Sequence, residues 1–284
     1  MSDSRPPIAP RRSVYRANAG YFHRSSIGTL RASAFISKMD TLSAIAASGM
    51  RARMQELDIL ANNLANSSSR GYKADQEIYS LYSAGDASGA QGAAAHDQPW
   101  IKSTWVDFTQ GSLAPTGNPL DIALVGKGFL AVRGSSGTLY TRNGSLKVTA
   151  KGDLVAAEDR AVLDTSGKPV KIDPARPYLI DTTGAVSQEG NTVAQLSVVE
   201  FSNPAGLVKA GQSYFQSAGS GNEAKPAVAT EVHQGQLEES NAGPAQGAVR
   251  LVSVMRQFEM LQKAVTMGAE MDKQSITEVA RVTP

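Results

Sequence analysis

The chain has 284 residues, of which 41% are hydrophobic and 19% charged, so it can bury the core of one large or two modest domains. It contains no cysteine, which excludes disulfide frameworks, thiolate nucleophiles and cysteine-ligated zinc. The net charge of +2 comprises +6 in residues 1–38, from seven basic residues and one acid, and therefore −4 in the remainder. The body of the chain thus lacks the basic surplus typical of nucleic-acid binding.

Residues 1–38 are rich in Arg and Ser and show no apolar periodicity, which predicts a disordered basic leader. A translation start at Met39 is an equally weighted alternative. Arg31 interrupts the best apolar stretch, and no clear apolar region follows the Arg11–Arg12 pair. Both facts disfavour a cleaved secretion signal, so we expect any export to proceed without one.

An N-terminal assembly helix is predicted within residues 39–70, over about 40–67. Its apolar residues follow a heptad spacing, with Leu42, Ala46 and Leu60 widening the seam formed by Met50, Met54, Leu57, Ala61 and Leu64. Gly71 is the expected stop, because glycine accepts the left-handed conformation at a helix end. Residues 71–99 form a connector, with a flexible Gly/Ala-rich loop over 84–95.

Residues 100–235 alternate short apolar runs with turn residues, which predicts an antiparallel β domain of sandwich or barrel type. Ile122–Leu124 and Phe129–Val132 are expected strands, and Val193–Phe201 is expected to be the longest one. Asn143-Gly144 is typical of a tight hairpin, because both residues tolerate positive φ.

A second assembly helix is predicted within residues 236–284, over about 244–279. Glu238, Glu239 and Pro244 are interpreted as its start signals. Its apolar residues again follow a heptad spacing, at Leu251, Val254, Phe258, Leu261 and Val265. The fold class is therefore α+β, with an antiparallel β domain flanked by N- and C-terminal helices that pair as a coiled coil.

Candidate chemistry is weak, and no catalytic, cofactor-binding or metal-ligating residue is predicted. His23, His96 and His233 lie at no metal-ligand spacing. Gly126-Lys127-Gly128 precedes a strand and not a helix, so it lacks the helix end that binds phosphate. Four carboxylates could supply a glycosidase pair, although nothing in the sequence makes them converge: Asp107, Asp121, Asp153 and Asp164.

Three asparagines near the end of the first helix, Asn62, Asn63 and Asn66, are unusual because Asn is a poor helix former. They fit a fraying helix end. They also fit polar packing between subunits, in which a buried amide fixes the register of neighbouring helices. The spacing alone leaves both interpretations open.

Several motifs resemble the axial proteins of the bacterial flagellum, the family of rod and hook subunits. Residues 57–66 (LDILANNLAN) followed by Gly71-Tyr72-Lys73 resemble the N-terminal signature of the family, apart from Ser67-Ser68-Ser69. Residues 110–129, containing QGSL, TGNPLD and GKGF, resemble its central motif, and residues 139–144 (LYTRNG) the next one. Residues 235–241 (GQLEESN) are similar to the motif that opens the C-terminal helix.

The resemblance implies a structural subunit of the basal-body rod, without catalysis or cofactor. In that family the terminal helices pack into an inner coiled-coil layer, and subunits are exported by the flagellar export apparatus without signal cleavage. Partners would be copies of the chain and other rod and hook subunits, with no nucleic acid and no small-molecule substrate. Residues 39–42 (MDTL), residues 256–259 (RQFE) and the 246 residues from Met39 favour a proximal-type subunit over a distal one.

The expected assembly interface combines the two seams with the polar residues beside them. It consists of Met50, Met54, Leu57, Leu60, Asn62, Asn63, Leu64, Asn66, Leu237, Ser240, Asn241, Leu251, Phe258, Leu261 and Val265. A hypothesis of another class is a secreted carbohydrate-binding or carbohydrate-hydrolysing protein, which would use the β domain and its Asp residues.

Overall fold

The computed structural model describes residues 26–84, 96–211, 213–219 and 221–282, and all structural statements concern these residues. The described residues contain two long helices, α1 (Ser26–Ala65) and α2 (Pro244–Val282). Along the chain, the seventeen strands of the described residues all lie between these two helices. The strands are β1 (Asp75–Ala84), β2 (His96–Val106), β3 (Leu113–Pro115), β4 (Ile122–Val125), β5 (Phe129–Arg133), β6 (Thr138–Thr141), β7 (Lys147–Val148), β8 (Leu154–Val155), β9 (Tyr178–Ile180), β10 (Ala185–Gln188), β11 (Asn191–Gln195), β12 (Val198–Phe201), β13 (Leu207–Lys209), β14 (Tyr214–Ser217), β15 (Ala224–Pro226), β16 (Glu231–Gln234) and β17 (Gln236–Glu238).

The two helices pack against each other in antiparallel orientation. Gly49 lies opposite Leu261, and Gly247 lies opposite Leu64 at the other end of the contact. The second helix was predicted correctly, because its apolar spacing and Pro244 mark it clearly. The start of the first was not, because α1 begins at Ser26 and residues 26–38 are helical, where a disordered leader was expected. No proline interrupts this stretch, and Leu30, Ala32 and Ala34 favour helix.

The expected connector, residues 71–99, contains β1 and the start of β2, the two longest strands of the described structure, and β2 extends into the range predicted for the β domain. β1 and β2 form an antiparallel hairpin whose ladder runs from Asp75 opposite Val106 to Ala84 opposite His96. This hairpin lies against α1. A two-stranded ribbon is marginally stable alone, so the helix surface supplies its support. Most of the predicted flexible loop, residues 85–95, lies outside the described residues.

The β domain is antiparallel, as predicted, in every strand pair of the described structure. Its largest sheet has six strands in the order β13-β14-β6-β5-β12-β15, and β11-β10-β9 form a second sheet. The predicted long strand over 193–201 is wrong. Buried Leu196 and Ser197 divide it into β11 and β12, which belong to different sheets.

Two apolar clusters form the core of the β domain. The larger contains aliphatic side chains from most strands, among them Ile122, Leu130 and Val186. The smaller is aromatic, with Phe129 in edge-to-face contact with Phe108, Phe201 and Phe215 at centroid distances of 5.5–5.9 Å. These edge-to-face contacts bring Phe108, directly after the hairpin, onto the core of the β domain.

The predicted tight hairpin at Asn143-Gly144 is also wrong, since neither residue has a positive φ. Gly144 is required for a different reason. A Cβ at this position would lie 1.8 Å from the carbonyl oxygen of Ile122, so the two backbones approach too closely for any side chain. The sequence pattern indicates that a glycine is needed here. It does not show whether the reason is a positive φ or a close approach of two backbones.

The last two strands pair with strands from the beginning of the β domain. β16 pairs with β4 and β17 pairs with β3, so the start of α2 lies beside the end of α1. The amide of Gly71 donates to the carbonyl oxygen of Glu238 at 2.8 Å, which joins the two regions directly. Gly71 has the positive φ of +64° that glycine accepts, but α1 already ends at Ala65, so Gly71 is not the residue that stops the helix. Neither described helix is long and apolar enough to cross a membrane.

We expect Gly71→Ala to lower the free energy of unfolding by at least about 2 kcal/mol more than Gly117→Ala. Both glycines have nearly the same φ, +64° and +68°, so both variants carry the left-handed strain of about 1–2 kcal/mol. Only at Gly71 would the new Cβ also meet backbone, 2.4 Å from both Arg142 C and Asn143 N, whereas nothing lies within 4 Å at Gly117. Urea unfolding of both variants measures the difference, and equal losses would contradict the steric argument.

Candidate functional site

The ends of both helices meet the β domain in one polar region, which we call the junction. It is formed by residues 71–75 after α1, residues 107–111 after β2, and residues 238–241 before α2. Tyr72, Ala74 and Ala242 form a small buried apolar cluster within it. Because the three segments are far apart in the sequence, the junction fixes how the helices attach to the rest of the subunit.

Glu238 is the centre of the junction and is fully buried. Its Oε1 accepts hydrogen bonds from Lys73 Nζ at 2.6 Å and from the Gly111 amide at 2.9 Å. Its Oε2 lies 3.3 Å from Arg142 Nη1. One carboxylate thus holds a lysine that follows α1, a backbone amide that follows the hairpin, and an arginine of the β domain.

The two cations of this cluster are satisfied mainly by carbonyl oxygens. Lys73 also donates to Thr109 O at 2.6 Å, and Arg142 donates to Leu124 O at 3.1 Å and to Gly126 O. The guanidinium lies over the Phe129 ring, 5.1 Å from its centroid. Burial lowers the pKa of Lys73 and of Arg142 from their ordinary values, and the Glu238 carboxylate opposes both shifts.

Asn63 bonds the reversal between α1 and β1. Its side-chain amide pairs with the backbone of Asp75, accepting from the amide at 2.9 Å and donating to the carbonyl at 2.8 Å. Asn62 Oδ1 accepts from the Tyr72 hydroxyl at 2.8 Å. Lys209, from β13, bonds Asp75 at 2.7 Å and lies over the Tyr72 ring.

Asn241 performs the same task on the other side of the junction. Its Oδ1 accepts from the Ala74 amide at 2.8 Å, and its Nδ2 donates to Asp107 O at 2.7 Å. Asn66 bonds the carbonyl of Asn62 at 3.0 Å, one turn before it. Of the residues predicted for assembly, Asn62, Asn63, Asn66 and Asn241 therefore bond within the chain. Leu237 is buried in β17, and Ser240 caps the Ala242 amide at 3.1 Å.

The seam predicted for α2 is the face that turns toward α1. Val254 is buried at 3% exposure, and Leu251, Phe258, Leu261 and Val265 are half-buried. The α1 seam is less covered. Leu60 is buried and Met50, Leu57 and Leu64 are half-buried, but Met54 is 54% exposed.

A second apolar face runs along α2. We call it the outer face, and it consists of Val249, Val252, Met260, Met267 and Met271, each 48–73% exposed. At about 100° per residue these five side chains fall within one arc, centred about 160° from the arc of the seam. An amphipathic helix of a globular protein normally has one apolar stripe, so the outer face is a surface that lacks its partner within the described chain.

A charged cluster links α1, α2 and the hairpin near the middle of the helix contact. Glu56, only 3% exposed, accepts from Tyr79 Oη at 2.6 Å, from Arg53 Nη1 at 2.5 Å and from Arg250 Nη2 at 3.0 Å. Burial raises the pKa of Glu56, but these hydrogen bonds and the nearby arginines outweigh it, so the net shift is downward. Arg250 also bonds Glu77 of β1.

The four aspartates considered for glycosidase chemistry take part in local structure. Asp164 accepts from the amides of Ser166 and Lys168 at 2.8 Å, which closes a turn. Asp153 pairs with Lys171 at 3.5 Å, and Asp107 accepts from the Thr109 amide at 2.9 Å. The backbone carbonyl oxygen of Asp121 accepts from the Gly235 amide at 2.7 Å, next to the pairing of β16 with β4. The carboxylates of Asp107, Asp153 and Asp164 thus have structural partners, and Asp121 contributes through its backbone.

Sequence reasoning missed the central role of Glu238, Lys73 and Arg142. Glu238 was interpreted as a helix start signal, but it lies in β17 and its charge neutralises buried cations. Lys73 and Arg142 belong to two of the sequence motifs, but no role was predicted for either residue. The sequence did contain a signal, because each of these charged residues lies within three positions of an apolar residue that is buried. Tyr72 precedes Lys73, Leu139 lies before Arg142, and Leu237 precedes Glu238.

We expect Glu238→Gln to destabilise the chain by about 3–5 kcal/mol, because it leaves two buried cations without their carboxylate. The matched control is Glu239→Gln at the next position. Glu239 pairs with Arg70 at 3.0 Å, but both side chains are at least 40% exposed, so this change should leave stability nearly unaltered. Urea unfolding of both variants is the measurement, and similar effects at the two positions would contradict a buried charge centre.

Three family models match the chain in order. The model described as "Flagella basal body rod protein" matches residues 44–73, and "Flagellar hook protein FlgE/F/G D1 domain" matches residues 123–191. "Flagellar basal body rod FlgEFG protein C-terminal" matches residues 233–278. The first therefore covers the C-terminal half of α1 and residues 71–73 of the junction, and the third covers residues 238–241 and most of α2. The second covers part of the β domain.

Curated relatives extend the match over most of the chain. The FlgF basal-body rod protein of Caulobacter vibrioides is 29% identical over 231 positions, covering 80% of this chain and 93% of that protein. The FlgF protein of Mesorhizobium japonicum is 29% identical over 216 positions, covering 76% and 88%. The FlgG basal-body rod protein of Agrobacterium fabrum is 31% identical over 252 positions, covering 80% and 95%. The chain belongs to the family of flagellar basal-body rod proteins.

Proposed function

We propose that the chain is a structural, non-catalytic subunit of the flagellar basal-body rod and polymerises through its two terminal helices. The observation that carries the proposal is the outer face of α2, whose five apolar residues have no partner in the described chain. Exposing such a stripe to water is unfavourable, and its burial between copies would supply the driving force for assembly. Family membership identifies the assembly in which those copies would meet.

The finer arrangement we propose is a layer of coiled coils. The α2 seam has the heptad spacing and already faces α1, while the α1 seam is only partly covered and leaves Met54 exposed. Further helices from neighbouring subunits would complete the burial of both. Met50, Met54, Leu57 and Leu64, together with the outer face, then form the assembly surface, and Leu251, Phe258, Leu261 and Val265 hold the pair that presents it.

The contacts within the chain suggest a different role for each segment. We propose that residues 39–70 and 236–284 mediate assembly and that residues 100–235 form the β domain, with the hairpin of the connector as part of the helical layer. The junction, with Glu238 at its centre, would transmit torque between the two parts as a rigid attachment. Partners are copies of the chain, other rod and hook subunits, and the flagellar export apparatus during delivery.

The lengths of the alignments favour a proximal-type position, like that of FlgF. About 227 residues, 80% of this chain of 284, align both with the Caulobacter FlgF and with the Agrobacterium FlgG. The first alignment has 231 positions and the second 252, so the second contains about 25 positions without a counterpart here. The first contains only about four such positions, which supports a chain of the FlgF type.

We expect Met260→Asp to reduce incorporation of the protein into basal bodies at least about tenfold while leaving the isolated subunit folded. A charge on the outer face opposes burial at an interface, but it costs little, within about 0.5 kcal/mol, on the exposed surface of a monomer. Immunoblots of basal bodies purified from a strain that expresses only the variant measure the effect.

The matched control is Val208→Asp, an equally exposed apolar position on β13 of the β domain, at 56% against 61% for Met260. It should incorporate at the normal level. Normal incorporation of the Met260 variant would refute assembly through the outer face. Binding or hydrolysis of a glycan by the full-length protein, with motility retained after gene deletion, would instead favour the carbohydrate hypothesis.

A further inference from the structure

The two apolar faces of α2 create an ambiguity in packing. The seam faces α1, and the outer face, almost opposite, has five large apolar residues of its own. Burial of apolar surface is non-directional, so hydrophobicity alone does not determine which face packs against α1. A device that discriminates between the two faces is therefore needed for a single native arrangement.

Polar contacts of Arg250 distinguish the two faces. Its Nε and Nη2 atoms lie 3.3 Å and 3.0 Å from Glu56 Oε1, and Nη2 also bonds Glu77. Arg250 thus connects α2 to α1 and to the hairpin at once. These are side chains of limited freedom, because Glu56 is also bonded to Tyr79 and Arg53.

The alternative packing would break these contacts. Turning the outer face toward α1 requires α2 to rotate by about 160° about its axis. Arg250 would then point away from both carboxylates, and Glu56 would lose its partner on α2 while remaining covered. Arg250 is 48% exposed and would return to water, whereas the nearly buried Glu56 would keep only Arg53 and Tyr79 as partners. The alternative packing therefore loses a charge-assisted contact at a buried carboxylate.

We propose that Arg250, bound by Glu56 and Glu77, is a specificity determinant that selects which apolar face of α2 packs against α1. The outer face is thereby kept free. The proposal concerns the isolated subunit, so it is tested without reference to the rod, and its failure is distinguishable from the failure of the proposed function.

Ion pairs that specify an arrangement need not stabilise it, since apolar replacements are often neutral for stability. The triple variant Glu56→Leu, Glu77→Gln, Arg250→Leu removes the determinant without leaving a buried charge from it. We expect this variant to retain its helical content and a thermal midpoint within about 4 °C of the wild-type value. Its helix α2, however, should populate both orientations.

The chain contains no cysteine, so pairs of introduced cysteines report helix orientation directly. The first reporter is Gly49→Cys with Leu261→Cys, because a Cβ at Gly49 would lie 3.5 Å from the Leu261 side chain. The second is Gly49→Cys with Met260→Cys, which places the thiol on the outer face. Mild oxidation of the dilute full-length protein is followed by gel mobility and intact mass, which separate internal disulfides from dimers.

With Arg250 in place, the Leu261 reporter should oxidise at least about tenfold more than the Met260 reporter, which corresponds to about 1.4 kcal/mol. In the triple variant the ratio should fall severalfold. Arg51→Leu, an exposed position on α1, is the matched control and should leave the ratio unchanged. Arg250→Lys retains the charge and should retain most of the preference.

Two results would overturn the proposal. An unchanged ratio in the triple variant would show that apolar packing alone selects the face. Loss of oxidation at both reporters, with a clearly lower thermal midpoint, would show that the charged cluster holds the helices together and does not select between arrangements. Either result is obtained from the same samples.

Discussion

The structure depends on one buried carboxylate. Glu238 is reached by Lys73, by the Gly111 amide and by Arg142, and these groups belong to the segments after α1, after the hairpin and within the β domain. Removing charges from water is costly, so such a cluster persists only where the geometry satisfies nearly every donor. That requirement makes the junction a defined joint and not a flexible linker. The orientation of both helices relative to the β domain follows from it.

Beyond the junction, one part of the surface of the helices contacts other elements of the chain, and another part is exposed. Within the chain, the apolar seam of α2 packs toward α1, and polar side chains such as Glu56, Asn63 and Arg250 bond neighbouring elements. Apolar ones on the outer face are left uncovered. An uncovered apolar stripe of this kind is unusual on a monomeric globular protein, on which large exposed apolar patches mark interaction sites. It is the distribution expected of a subunit whose surface becomes the interior of a larger assembly.

Periodicity and turn residues predicted the architecture well. The two helices, the antiparallel β domain and the strands beginning near Ile122 and Phe129 followed from residues that are strong local signals. The site did not. Asn62 and Asn63 offered two interpretations, and the structure shows a further role, because both bond the reversal of their own chain. Polar packing between subunits stays a prediction. Glu238, Lys73 and Arg142 meet only through pairings such as β17 with β3, which depend on contacts over more than a hundred residues and leave no local pattern.

The separation of Lys73 and Glu238 also constrains the order of folding. These two residues lie 165 positions apart, and their contact requires β17 to be in place beside β3. The entropy of closing so long a loop must be offset by structure formed in between, so the β domain has to organise first. Until then a lysine destined for complete burial has no counter-charge. We therefore expect the end of α1 and the start of α2 to come together only after the β domain between them has formed.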